Sequence, residues 1–106
     1  MFMQSVENHL ERAKTSVERL RARGVKVVFI RCPSSGTLRE METTYSPRAG
    51  FYDRILAATG APGIHFEDYP ELAGFDCPEW SHLTADDALI FTERLMPILE
   101  GVLSDM

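Results

Sequence analysis

Apolar residues recur at helical spacing from the start of the chain. Val6, His9/Leu10, Ala13, Val17 and Leu20 fall three or four apart, with Glu7, Glu11, Arg12, Glu18, Arg19 and Arg21 filling the other positions. That period predicts an amphipathic helix over residues 3–23. Gly24, following arginines that suit the negative end of the helix dipole, stops it. The pattern then changes: Val25–Arg31 is a nearly continuous β-branched and aromatic run, as in a parallel strand covered on both faces. Cys32-Pro33-Ser34-Ser35-Gly36 ends the strand as a loop at its C-terminal edge. Residues 37–46 fit neither period. Pro47 opens a second helix through Phe51, Ile55, Leu56 and Ala58, ending near Gly60. Gly63–Tyr69 is a weaker strand, and Pro70 to Trp80 a loop rich in proline, glycine and acids. Thr84 caps the last helix, with Asp87 in capping-box position, Pro97 as a kink, and Ala88, Phe91, Leu95, Ile98, Leu99 and Val102 as its apolar stripe.

The predicted order, α-β-α-β-α, indicates an α/β fold with parallel strands and flanking helices. Two strands are too few to cover three apolar helical faces, so the sheet reads as incomplete. A third strand within residues 37–46, a second copy of the chain, or a missing partner would supply the rest. At 106 residues the chain is one domain, 1–106. Its composition, 44% hydrophobic and 25% charged, is ordinary for a globular protein. No apolar run approaches the ~20 residues a bilayer requires, and the first residues lack a secretory leader pattern. The chain is therefore expected to be soluble, and cytoplasmic by default.

The net charge of −5 is uneven: residues 1–31 carry seven of the eleven Lys/Arg, while Arg94 is the only basic residue of 64–106. The basic front alternates with acids at helical spacing and has no aromatic platform, which argues against nucleic acid. Cys32 and Cys77 make neither a disulfide framework nor a four-ligand zinc site, and a bridge between them is a question of geometry. His65, Glu67, Asp68 and His82 lack metal-ligand spacing, so no metal is expected. His65 alternates with Ile64 and Phe66 and reads as structural, while His9, on the first helix, reads as structural or surface. Arg48 reads first as a solvated helix-start charge, and otherwise as the holder of a loop carboxylate or of a substrate anion.

In open parallel sheets ligands bind beyond the C-terminal ends of the strands. The Pro33–Gly36 loop and Glu79-Trp80-Ser81-His82-Leu83 belong to that edge. An acid three residues before a histidine can accept its Nδ1 proton and leave Nε2 as a base. Ser34 and Ser35 stand in a turn whose backbone N–H groups could cradle an anion, although a plain strand-exit turn explains them too. Trp80 reads as a wall of the site or as packing.

Cys77-Pro78-Glu79-Trp80-Ser81-His82-Leu83-Thr84, followed by Asp87-Ala88 and Phe91-Thr92, resembles the last motif block of SGNH (GDSL-type) hydrolases. The likeness is nearest to the bacterial branch that handles O-acyl groups on polysaccharides. Its specific part is confined to 79–92, within a looser likeness over 20–103. The resemblance implies the C-terminal half of a three-layer, flavodoxin-like domain, with His82 as general base, Glu79 in place of the usual aspartate, and no cofactor. The Gly-Asp-Ser block that carries the family's nucleophile and the Gly-x-Asn block of its oxyanion hole are absent from these 106 residues. Alone, the chain is expected to be nearly inert, since nucleophile and oxyanion donors supply most of the rate. An acyl ester, perhaps on a saccharide, is the implied substrate class. A non-catalytic module that self-associates through its incomplete sheet is the alternative.

Overall fold

The computed structural model describes residues 2–106, with side chains from Gln4 onward. The elements are α1 (Phe2–Ala22), β1 (Phe29–Arg31), α2 (Gly36–Tyr45), α3 (Tyr52–Thr59), β2 (Gly63–His65) and α4 (Ala85–Ser104), with 3₁₀ turns at Arg48–Gly50 and Phe66–Asp68. The order is thus α-β-α-α-β-α, and the chain is mixed α/β. Residues 37–46, expected to be ambiguous or a hidden strand, belong to a helix. Leu38, Arg39, Glu40, Met41 and Glu42 are all strong helix formers, and positions 38, 39 and 42 share its half-buried side. The helix expected from Pro47 begins instead with the 3₁₀ turn and becomes α-helical at Tyr52.

Both strands are shorter than predicted. Only the last three residues of Val25–Arg31 pair, in parallel register Phe29↔Gly63, Ile30↔Ile64 and Arg31↔His65. Val25 N–H instead turns back to Leu20 O at 3.0 Å, closing the end of α1. β2 stops at His65 because the chain winds into the 3₁₀ turn, where Glu67 N–H donates to His65 Nδ1 at 3.2 Å.

The alternation of β2 places helices on both faces of the sheet. Gly63 and His65 face α3: a Cβ on Gly63 would stand 2.2 Å from the Tyr52 hydroxyl and 2.7 Å from Leu56 Cδ1. The Tyr52 ring meets His65 edge-on, centroids 4.9 Å apart. Glycine is what lets α3 lie this close. Ile64 points the other way, into a cluster with Phe66, Leu72 and Phe91 that Leu95, Ile98, Leu99 and Val102 of α4 cover. α1 packs on α3, where Arg21 donates to the carbonyls of Thr59 and Gly60, both at 2.9 Å, and so caps the end of α3.

The molecule is a thin slab, 38 × 37 × 20 Å, with a radius of gyration of 15.1 Å. A compact domain of this length has about 13 Å. Its accessible surface is 7044 Å², against about 6,000 Å² expected for its mass. The ladder also leaves one edge of the sheet open. Phe29 N–H bonds to Pro62 O on the β2 side at 3.0 Å. Strand alternation therefore turns the Ile30 N–H and C=O away from β2, toward an edge with no strand among the described residues. Ile30 itself is 39% exposed.

Candidate functional site

The loop before α4 is shaped by its own backbone. Trp80 N–H donates to Cys77 O at 2.8 Å, closing a turn in which Trp80 takes φ +75°, a left-handed conformation costly for a bulky residue. What holds it there is the loop after β1. Ser35 N–H donates to Trp80 O at 2.9 Å, and Cys77 N–H donates to Ser35 Oγ at 2.9 Å. The Trp80 indole lies over Gly36, where an added Cβ would come within 2.6 Å of two ring atoms. The two loops expected at the C-terminal edge are therefore joined, and Trp80 forms the joint.

Beyond it, Glu79, Ser81 and His82 form a closed cluster. His82 Nδ1 lies 2.9 Å from Glu79 Oε1, and the Ser81 hydroxyl donates to Glu79 Oε2 at 2.9 Å. Ser81 Oγ is also 2.9 Å from His82 Nδ1. With the carboxylate facing Nδ1, the ring proton belongs on Nδ1 and Nε2 carries the free lone pair. Nε2 has no partner among the described residues and is open to solvent, the His82 side chain being 82% exposed. The Ser81 hydroxyl, then the His82 ring, hold the Glu79 carboxyl below its ordinary range. The sequence reading singled out the acid and the histidine but not Ser81, whose bridging role depends on the turn at Trp80. Thr84 caps α4 right after the cluster, its Oγ1 accepting from Asp87 N–H at 3.1 Å.

The other predicted residues are placed differently. Ser34 is buried, and its hydroxyl donates to Glu42, which also pairs with Arg31. Ser35 is engaged with Cys77 and Trp80, and no hydrogen bond links either serine to His82 among the described residues. Cys32 is exposed, Cys77 is buried, and both are free thiols. Arg48 grips Asp68 through two bonds of 2.7 and 2.6 Å, so it does hold a loop carboxylate. Among the described residues no group of His, Cys, Asp and Glu could hold a metal ion, and no helix is long and apolar enough to cross a membrane.

Comparison with protein-family models, with curated proteins and with solved structures finds no match to this chain. A functional reading therefore rests on the residues themselves.

Proposed function

We propose that this chain carries the general-base side of an SGNH-type ester hydrolase or O-acyltransferase site, in a partial flavodoxin-like domain. The observation that supports it is the 2.9 Å bond from Glu79 to His82 Nδ1, with Nε2 open in front of the final helix. His82 takes the proton of an attacking hydroxyl on Nε2 and returns it to the leaving group, while Glu79 fixes the tautomer and offsets the imidazolium charge. The hydroxyl itself comes from a second polypeptide segment bearing the Gly-Asp-Ser and Gly-x-Asn blocks. The unpaired edge of β1 gives that segment a strand to join. Substrates are acyl esters, with saccharide O-acyl groups the class the motif favours.

The test joins this chain to the product of an adjacent reading frame carrying those blocks and follows p-nitrophenyl acetate hydrolysis. The chain alone is expected to match its His82→Ala variant. The joined protein is expected to be active and to lose at least ~100-fold with His82→Ala. An unchanged rate in that variant overturns the reading.

The exposed slab surface favours one rival, a non-catalytic assembly module. The absence of any neighbouring frame with the nucleophile block, with a stable complex formed by this chain alone, decides for it.

A further inference from the structure

A cavity of about 450 Å³ opens past the C-terminal ends of both strands, lined by their last residues, Arg31 and His65. Ligands of parallel sheets occupy that position, and the size suits a small organic molecule. Val6 and Leu10 of α1 and Phe51 and Ile55 beside and on α3 make its apolar walls, while Arg31, Arg39, Glu42, Arg48 and His65 crowd its polar end. It shares no residue with the Glu79–His82 cluster.

The hydrogen-bond inventory of the polar end defines what is lacking. Arg31 is engaged with Glu42 and the Cys32 carbonyl, and Arg48 with Asp68 and Asp53. Arg39 bonds only through Nη2, to Glu67, so its Nε and Nη1 donors have no acceptor among the described residues. The His65 side chain is 3% exposed, and its Nδ1 accepts Glu67 N–H, which puts the ring proton on Nε2. The nearest carboxylate oxygen to that Nε2–H is Glu67 Oε1, at 3.6 Å, beyond hydrogen-bond reach. Burial, with Arg48 nearby, lowers the His65 pKa, so the ring is a neutral donor near neutral pH.

Arg39 and His65 thus hold donors without acceptors at the end of an apolar pocket. We infer that the cavity binds a monocarboxylate carrying a short hydrocarbon tail, its oxygens on Arg39 and His65 Nε2–H and its tail against Val6, Leu10, Phe51 and Ile55. Glu67 marks the place. Its carboxylate sits on Arg39 beside His65, yet it is 44% exposed on the 3₁₀ turn and can swing to water. An incoming carboxylate replaces it. A multiply charged anion is disfavoured because Glu42 lines the same end and Asp53 and Asp68 already neutralise Arg48, and a cation would meet three guanidinium groups.

Octanoate titrated into the full chain, followed by calorimetry and ¹H–¹⁵N NMR, is the test. Binding tighter than ~1 mM is expected, with acetate and octan-1-ol each at least ~10-fold weaker. Arg39→Gln should weaken octanoate ~10-fold, and Glu67→Gln, which removes the internal competitor, should tighten it ~3-fold. Ile55→Trp fills the cavity and should abolish binding, while His82→Ala leaves it unchanged. No binding, octanol matching octanoate, or an affinity that Arg39→Gln and Glu67→Gln do not move in opposite directions overturns the proposal. These last two substitutions lie on partly or well exposed side chains, so they decide the matter even if Ile55→Trp does not fold.

Discussion

A glutamate three residues before a histidine meets it only if the chain between them folds back, and here the fold-back is the left-handed Trp80. The Glu79–His82 bond is therefore a property of the turn as much as of the pair. Glu79→Gln removes the carboxylate that faces Nδ1. The His82 ring should shift from mostly Nδ1–H toward the Nε2–H form, read from its two ¹⁵N resonances, while the unfolding midpoint hardly moves because the pair is solvated. Gly36 is the opposite case. At φ +59° and beneath the indole, Gly36→Ala meets strain and a clash together. It should cost about 1–3 kcal/mol in urea denaturation and shift the fluorescence of the half-exposed Trp80, whose indole must leave Gly36. His65 gives the pH dependence. Burial lowers its pKa in the folded chain, so protonation favours the unfolded state. Stability is therefore full above the ordinary value of 6.5 and falls as pH drops below it, levelling off once the folded group also protonates. His65→Gln should flatten the unfolding midpoint in that window. Asp68, whose carboxyl Arg48 holds below its usual range, adds a separate loss only at lower pH.

At the level of elements, α1 and α3 are placed by contacts their own periods do not reveal. α3 is drawn onto β2 by the missing side chain at Gly63, and α1 is anchored on α3 by Arg21. Gly63→Ala should cost about 1–3 kcal/mol, since Tyr52 and Leu56 must both move, and thermal unfolding would register it. α4 follows its sequence closely: the Thr84 cap and the stripe from Phe91 to Val102 both stand where the pattern puts them. Segment 37–46 was illegible for a physical reason. Its inward side is largely polar, with Arg39 and Glu42 half-buried against the cavity and Ser34, so no apolar period betrays the helix. The strands are shorter than the pattern predicts because β-branched residues mark extended chain, whereas pairing needs a neighbour of matching length. β2 supplies only three residues.

The molecule as a whole exposes more surface than its mass requires, and the excess of about 1,000 Å² is of the size one partner contributes to a stable interface. An open strand edge beside a partly exposed Ile30 is a pairing template. With no other strand on it among the described residues, that edge is expected to join a second copy. Light scattering at micromolar concentration should give a mass well above the 12.0 kDa of one chain. Ile30→Lys, which places a charge on the edge, should return it to a monomer. A clean monomer for the unaltered chain would refute the pairing edge.

The amino-acid order alone determines α1, most of α3, the positions of two strands though not their length, the capped start of α4, and the acid and histidine before it. These follow from spacing within a few residues, where local sterics and periodicity decide. Tertiary structure alone decides which hydroxyls are engaged and which donors are left over. Ser34 is tied to Glu42, Ser35 to the Trp80 turn, and the cavity of Arg39 and His65 is assembled from three helices and two strands distant in sequence. Side chains from separate elements meet only when the sheet brings those elements to one edge, and no local pattern encodes that meeting.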